Sequence, residues 1–283
     1  MPKHLIVNAD DYGRTASVSA GIRKAHRDGI VTSTTTMMNM PGIAAELQTA
    51  LAECPQLGLG VHLVLTADSP LLPPDQIPSL IALSDGRPLK GIFDAFPRLD
   101  ALMKNADRLN TAEVKAEWRA QIEKFVHLTS RPPDHLDSHH HTSYLTPPLF
   151  GAMLELAREY GCAIRLPLAD EADTGMIVSD LPPLTFLRPM LLASTDVPRP
   201  DRFETRFYDE HATLAMLHGI VDTLPEGVTE LMCHPGFADE QLAAISGYNR
   251  QRAAELAALT DPGLREHLRA AGVELISFRA QSR

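Results

Sequence analysis

The seven residues His135 to His141, HLDSHHH, put four histidines and an aspartate in one run, a density that neither core packing nor solubility demands. Imidazole is a common ligand for divalent ions, and such a site needs a nearby carboxylate to complete its donor set. In an extended strand the period of two turns His135, Asp137, His139 and His141 to one face, and Ser138 and His140 to the other. Four more stretches carry residues of the same chemistry: NADD with Asp10 and Asp11, GVHLVLT with His62, CAIRLPL with Arg165, and CHPG with His234. Taken singly, each has a plainer explanation. His62 could be a core histidine, the two acids could cap the next helix with Ser17 as a competing cap, Arg165 could end a strand in a salt bridge, and His234 could be a turn residue fixed before Pro235. Taken together they favour a metal-dependent reaction centre. Adjacent acids at a strand end point opposite ways, so Asp10 and Asp11 suit two different jobs.

The elements that must position these residues alternate between short apolar runs and helix-type segments, the pattern of a parallel sheet with helices packed outside it. HLIVNAD, VTSTTTMMNM, LGLGVHLVLT, DHLDSHHH, CAIRLPL, VTELMCHPG and GVELISF read as strands. Between them, Val18, Ile22 and Ala25 make one helical face before Gly29, and Val114, Trp118, Ile122 and Phe125 make another. PPLFGAMLELAREYG opens with prolines tolerated at a helix start and closes at Gly161. Residues from about Ala67 to Gly91 and from Ala169 to Asp209 look irregular. The expected fold is α/β: one irregular, TIM-like (β/α) barrel of about seven or eight mostly parallel strands, a single domain over 1–283. In such barrels the working polar residues sit at the C-terminal ends of strands. Asp10, Asp11, Asn39, His62, the HLDSHHH run, Arg165 and His234 all fall there.

Composition narrows the partners. With 283 residues, 44% of them hydrophobic, the chain can bury a large core. Its 26 basic and 36 acidic residues give a formal charge of -10, a field that disfavours nucleic acid or an anionic membrane. No run reaches the length of a transmembrane segment, and MPKHLIVNADDYG passes directly from Met1 into a strand, so the expected address is cytoplasmic. Cys54, Cys162 and Cys233 have no CxxC spacing and read as reduced thiols. The absence of a basic cluster suggests a neutral sugar-like ligand, with Phe93, Phe96, Phe203 and Tyr208 of the two irregular regions as apolar walls.

In this order, LIVNADDYG, GIVTST, GVHLVLT, HLDSHHH and ELMCHPG resemble the YdjC-like carbohydrate deacetylases, which include chitooligosaccharide (diacetylchitobiose) and hopanoid-associated deacetylases. The resemblance runs from Leu5 to about Gly236 and more faintly beyond. It implies an irregular (β/α) barrel and metal-dependent removal of an acetyl group from an N-acetylated sugar, either a small molecule or an oligosaccharide, with a homodimer as one possible assembly. Carried over motif by motif, it implies Asp11, His62 and His139 as metal ligands, Asp10 as catalytic base and His234 as acid. The chain departs from many members in reading HHHTS where they continue HHHVH.

That chemistry suits the residue types. An acetamide is a poor electrophile, and a divalent cation both activates water and polarises the carbonyl. Two imidazoles and a carboxylate leave positions open for water and substrate. Arg165 would orient Asp10 or bind the intermediate, Asp137 would fix a ligand tautomer, and His141 would support a ligand. Mg2+ is the ion the resemblance implies, whereas histidine ligands are better matched to Zn2+, Mn2+, Fe2+ or Co2+. Three other readings are an amidohydrolase, which would normally show His-x-His at its first strand, a metal-dependent sugar isomerase, and a sugar- or metal-binding protein without catalysis.

Overall fold

The computed structural model describes residues 2–84, 95–166 and 187–281. Eight strands form one sheet: β1 (Lys3–Tyr12), β2 (Ser33–Thr36), β3 (Gly58–Leu63), β4 (His135–Ser138), β5 (Ala163–Ile164), β6 (Arg202–Glu204), β7 (Gly227–Cys233) and β8 (Val273–Leu275). The order is β5-β4-β3-β2-β1-β7-β6, with β8 also on β1, and every pairing is parallel. The helices are α1 (Ala16–Arg27), α2 (Ile43–Glu53), α3 (Pro78–Ile81), α4 (Leu99–Asn105), α5 (Thr111–Thr129), α6 (Pro147–Tyr160), α7 (Arg188–Ala193), α8 (Leu214–Thr223), α9 (Glu240–Ala243), α10 (Arg250–Leu259) and α11 (Leu264–Ala270).

A flat sheet would hold β5 about 19 Å from β1, four strand spacings away. Arg165, one residue past β5, nevertheless bonds Asp10 on β1 at 2.7 Å. The sheet is therefore curled into a half-barrel, the expected TIM-like α/β form. Among the described residues β5 and β6 do not pair, and the N–H of Ile164 donates instead to Pro198 O at 2.9 Å.

Local sequence explains the outer layer. Thr15, rather than Ser17 or either acid, caps α1 by accepting the N–H of Val18, and Lys24, His26 and Arg27 occupy its last turn, where cations favour the helix dipole. Val114, Trp118, Ile122 and Phe125 of α5 are all fully buried, as their spacing requires. Two polar residues of α5 face inward as well: Gln121 bonds Val64 through both N–H and C=O, and Glu117 accepts the N–H groups of Leu71 and Leu72. They pin the chain leaving β3. Thr146 caps α6, and Gly161 ends it at φ +65°, a conformation that favours glycine.

Several elements differ from the sequence reading. The second strand covers only Ser33–Thr36, and Asn39 lies three residues past it, where its amide donates to Ala67 O and Ser69 O. Asn39 therefore ties a loop and does not join the polar cluster. The irregular stretches contain α3 and a turn at Pro74–Gln76 in one case, and α7 and β6 in the other. Segments of three to six residues are too short for a hydrophobic period to register. No helix among the described residues is long and apolar enough to cross a membrane, and all three cysteines are free and buried.

Gly60 on β3 tests how closely the strands pack, because a Cβ there would lie 2.6 Å from the ring and carbonyl oxygen of His135 on β4. Gly60→Ala is expected to cost roughly 1–3 kcal/mol, as overpacking does, seen as a lower urea midpoint with an unchanged m-value.

Candidate active site

The C-terminal end of β1 carries the two acids, and the strand is irregular there. Its register against β2 shifts between Ala9 and Tyr12, and Asp11 has φ +71°. Such a bulge re-aims side chains. Asp10 and Asp11 therefore line the same cavity, contrary to the expectation that strand neighbours point opposite ways, although they keep different partners.

The HLDSHHH run alternates as expected only to Ser138. The chain then turns, with His140 and His141 both left-handed at φ 53° and 54°, so His141 does not share a strand face with the others. Each of the four histidines has a distinct environment. His135 is fully buried, donates from Nε2 to Asn8 Oδ1 (2.9 Å) and stacks on Phe278, a core role. His139 reaches Asp11. His140 is exposed and bonds Thr66 through Nδ1 at 2.9 Å. His141 lines the cavity between Tyr144 and Phe203.

Three ligand-type atoms meet at the cavity floor. Asp11 Oδ1 lies 3.0 Å from His139 Nδ1 and 3.3 Å from His62 Nε2, and the two nitrogens are 3.3 Å apart. All three residues are buried, and Asp11 Oδ1 makes no hydrogen bond of good geometry. Behind them, Asp137 Oδ1 binds His62 Nδ1 at 2.6 Å, which fixes the ring so that Nε2 faces the cluster. Asp137 Oδ2 accepts from Thr35 and Arg165, each at 3.0 Å. Asp10, His62 and Asp137 also lie close enough to form a second group, but hydrogen bonds and Arg165 already occupy its carboxylates. Among the described residues, the set Asp11, His62 and His139 keeps a carboxylate oxygen free of hydrogen bonds and could hold a metal ion.

Electrostatics separates the roles. Burial alone would raise the Asp10 carboxyl, but the two-pronged contact with Arg165 at 2.7 Å overcomes it and holds the group well below the usual carboxylate range. Asp11 is likewise held low, burial being outweighed by Arg252 and His139. Burial opposes charge on His62, yet the surrounding carboxylates of Asp137, Asp11 and Asp10 push it up to about 10. His234, just past β7, is pushed by burial down to about 4 against the pull of Asp10, so it is neutral at pH 7. Its Nε2 is 3.9 Å from Asp10 Oδ2.

Several residues of the site went unnoticed in the sequence. Arg252 donates to Asp11 Oδ2. Glu255 accepts the His234 N–H and the Tyr248 hydroxyl, and burial raises it to about 7 against those bonds. Glu230 on β7 accepts from Arg165 Nε at 2.8 Å, and burial raises it to about 8 against that guanidinium. Arg14 places Nη1 3.2 Å from His139 Nε2. A signal existed: Arg252, Glu255, Leu256 and Leu259 form one buried face of α10, so two charges interrupt an apolar stripe.

The cavity measures about 280 Å³ and is also lined by Leu99, Met103, Tyr208 and Tyr248, near the lower end of ligand pockets, roughly 300–1,000 Å³. Of the aromatic walls expected from sequence, Tyr208 lines it, stacked on Tyr248. Phe96 is a core residue, Phe203 packs over the Arg165 guanidinium at 4.9 Å, and Phe93 lies outside the described residues. Phe96 and Phe203 serve packing, being turned inward just before α4 and on β6.

Fold and site together define a curled parallel half-barrel with a buried Asp-His-His cluster at its strand ends. The chain belongs to the YdjC-like protein family, whose model matches residues 4–270. It is 37% identical over 281 residues to a carbohydrate deacetylase of Geobacillus stearothermophilus, covering 99% of this chain and 98% of that protein. A chitooligosaccharide deacetylase of Proteus mirabilis is 33% identical, with 97% of each chain covered. Among solved structures, an Enterococcus faecalis V583 protein proposed to cleave cellobiose-phosphate superposes with a TM-score of 0.84 at 33% identity over 100% of both chains. A family 4 carbohydrate esterase of Streptomyces lividans shares the fold at a TM-score of 0.50 and 10% identity, over 99% of this chain and 96% of that one.

Arg165 is fully buried against Asp10, Asp137 and Glu230, so its loss strands charges that water cannot reach. Arg165→Met is expected to lower stability by about 3–5 kcal/mol, measured by urea unfolding at pH 7. A loss under about 1 kcal/mol would show that the three acids do not depend on it.

Proposed function

We propose that the chain is a carbohydrate N-deacetylase, a hydrolase that releases acetate from an N-acetylated sugar. The observation that carries this reading is the convergence of Asp11 Oδ1, His62 Nε2 and His139 Nδ1 beside an ionised Asp10 and a neutral His234 in one cavity. The curated relatives named as carbohydrate and chitooligosaccharide deacetylases support it over nearly the whole chain.

The three ligand atoms fit one divalent cation. An unbonded buried carboxylate oxygen between two imidazole nitrogens is a mixed N/O donor set better matched to Zn2+, Mn2+, Fe2+ or Co2+ than to Mg2+. Elemental analysis of protein purified without added metal identifies the ion. When bound, it would lower the pKa of a water molecule and polarise the amide carbonyl.

The chain's own residues do the rest. Asp10 takes the proton of the attacking water, and Arg165 and Asn8 hold its carboxylate in place. The same contacts weaken it as a base, so it keeps a proton only briefly. His234, neutral and 3.9 Å away, is suited to receive that proton from Asp10 and pass it to the departing amine. Tyr208 and Tyr248 flank its ring at 5.6 and 5.7 Å, excluding water from that side. The cationic groups on the wall, Arg14 and Arg252, are turned toward His139 and Asp11, which supports a neutral sugar. The free buried thiols are compatible with a cytoplasmic address.

The direct test is incubation with N-acetylglucosamine, its β-1,4 oligomers, lipid-linked glucosamine derivatives and cellobiose-phosphate, with acetate and released sugar measured for each. Acetate from an N-acetylated member is expected. Sugar release without acetate would point to glycosidic cleavage instead.

His62→Ala and His139→Ala should each lower metal content after dialysis and lower acetate release with it, whereas His140→Ala, at an exposed residue, should retain the metal. Metal loss with His140→Ala alone would reverse the ligand assignment.

The two acids are separable. Asp11→Asn should weaken metal binding, while Asp10→Asn should leave metal content intact and reduce kcat at saturating substrate by about 10²- to 10⁴-fold. The opposite pattern of metal loss would exchange their roles.

A further inference from the structure

We propose that Arg252 is a positioning residue for the metal site, holding Asp11 to a single coordinating oxygen. This rests on the reading that Asp11, His62 and His139 bind a divalent cation. Arg252 stands on α10, 241 residues after Asp11 in the chain, and is 3% exposed. Its Nη2 donates to Asp11 Oδ2, the oxygen turned away from the imidazoles. Nε donates to Tyr248 O at 3.2 Å and Nη1 to His234 O at 3.5 Å, while its own carbonyl accepts the Gly236 N–H at 3.1 Å. The ring of Tyr248 packs 5.6 Å from the guanidinium carbon. Three contacts thus fix the side chain, and a fourth its backbone, before it touches the carboxylate.

The consequence lies in how the two oxygens of Asp11 are divided. Oδ2 is engaged by a charge-assisted hydrogen bond from Arg252, and Oδ1 is presented between His62 Nε2 and His139 Nδ1. A carboxylate without such a partner can rotate about its Cβ–Cγ bond and offer both oxygens to one cation. That would fill a coordination position that a hydrolytic site needs for water or substrate. The left-handed backbone at Asp11, φ +71°, sets where the carboxyl group stands. Arg252 sets its rotation.

The test uses Co2+ as the probe on the full-length, metal-stripped chain, with affinity and the visible ligand-field spectrum both recorded. Wild type is expected to take up one Co2+. Arg252→Met is expected to bind about 10- to 100-fold more weakly, the usual cost of losing a group that orients a ligand, and with weaker absorption per bound Co2+, because a second carboxylate oxygen raises the coordination number. Arg252→Lys, which can still bond Oδ2, should bring the wild-type band back. Circular dichroism and thermal melting establish that each variant is folded. If the Met variant does not fold, Arg252→Gln replaces it, with the same criterion. A folded Met or Gln variant whose Co2+ spectrum matches wild type overturns the proposal whatever its affinity. A wild-type chain that takes up no Co2+ overturns the metal site itself, and this inference with it.

Discussion

Arg165 is completely buried, and three acidic side chains from three strands converge on it: Asp10 from β1, Asp137 from β4 and Glu230 from β7. A guanidinium removed from water needs such company, because an unpaired buried charge costs several kcal/mol. The planar fork supplies it efficiently, with two prongs on Asp10 and the Nε edge on Glu230. The same contacts fix the curvature of the sheet, since strands that lie far apart in a flat arrangement must bend until their acids meet one cation. The half-barrel therefore has an ionic centre under its apolar layers, and the chemistry sits directly above it.

Order passes outward from that centre. Arg165 fixes Asp137, Asp137 fixes the ring of His62, and His62 presents Nε2 to Asp11 and His139. From the other side, α10 sends Arg252 to Asp11 and Glu255 to the backbone of His234. Each reactive atom is thereby held by a neighbour that does not react, which is how a site keeps its geometry without help from solvent. Asp10 shows the compromise this brings. The contact that places it also depresses its basicity.

Much of this was legible in the sequence. Five motifs at expected strand ends pointed to residues that the fold brings together in or beside one cavity, because a carboxylate or imidazole in an apolar run stands out and a parallel strand has one functional end. The alternation in HLDSHHH correctly grouped Asp137 with His139 as inward groups, then failed at His140, where two successive left-handed residues replace the strand. Nothing in a histidine signals that conformation. The bulge at Asp10 and Asp11 was hidden for the same reason, since a register shift is decided by the partner strand. Arg252 escaped because its partner Asp11 lies 241 residues away in the chain, and Glu255 because a helix acid reads as solvated unless its buried contacts with His234 and Tyr248 are known. Phe203 was read as a loop aromatic because β6 is only three residues long.

The place of β1 in the sheet has a bearing on how the molecule is made. It is among the earliest strands in the chain, yet it pairs with β7 along Lys3 to Ala9 and with β8 along Lys3 to Leu5, both of which come near the other end. At a translation rate of about 5–20 residues per second, the 241 positions between Asp11 and Arg252 take roughly 10–50 s to synthesise. Through that interval the strand holding both acids has one edge open on the ribosome, a hazard for nascent chains. Only when β7 emerges can that edge be covered, and only when α10 emerges can Asp11 be clamped. The carboxylate of Asp11 thus waits for a partner made long after the strand that carries it.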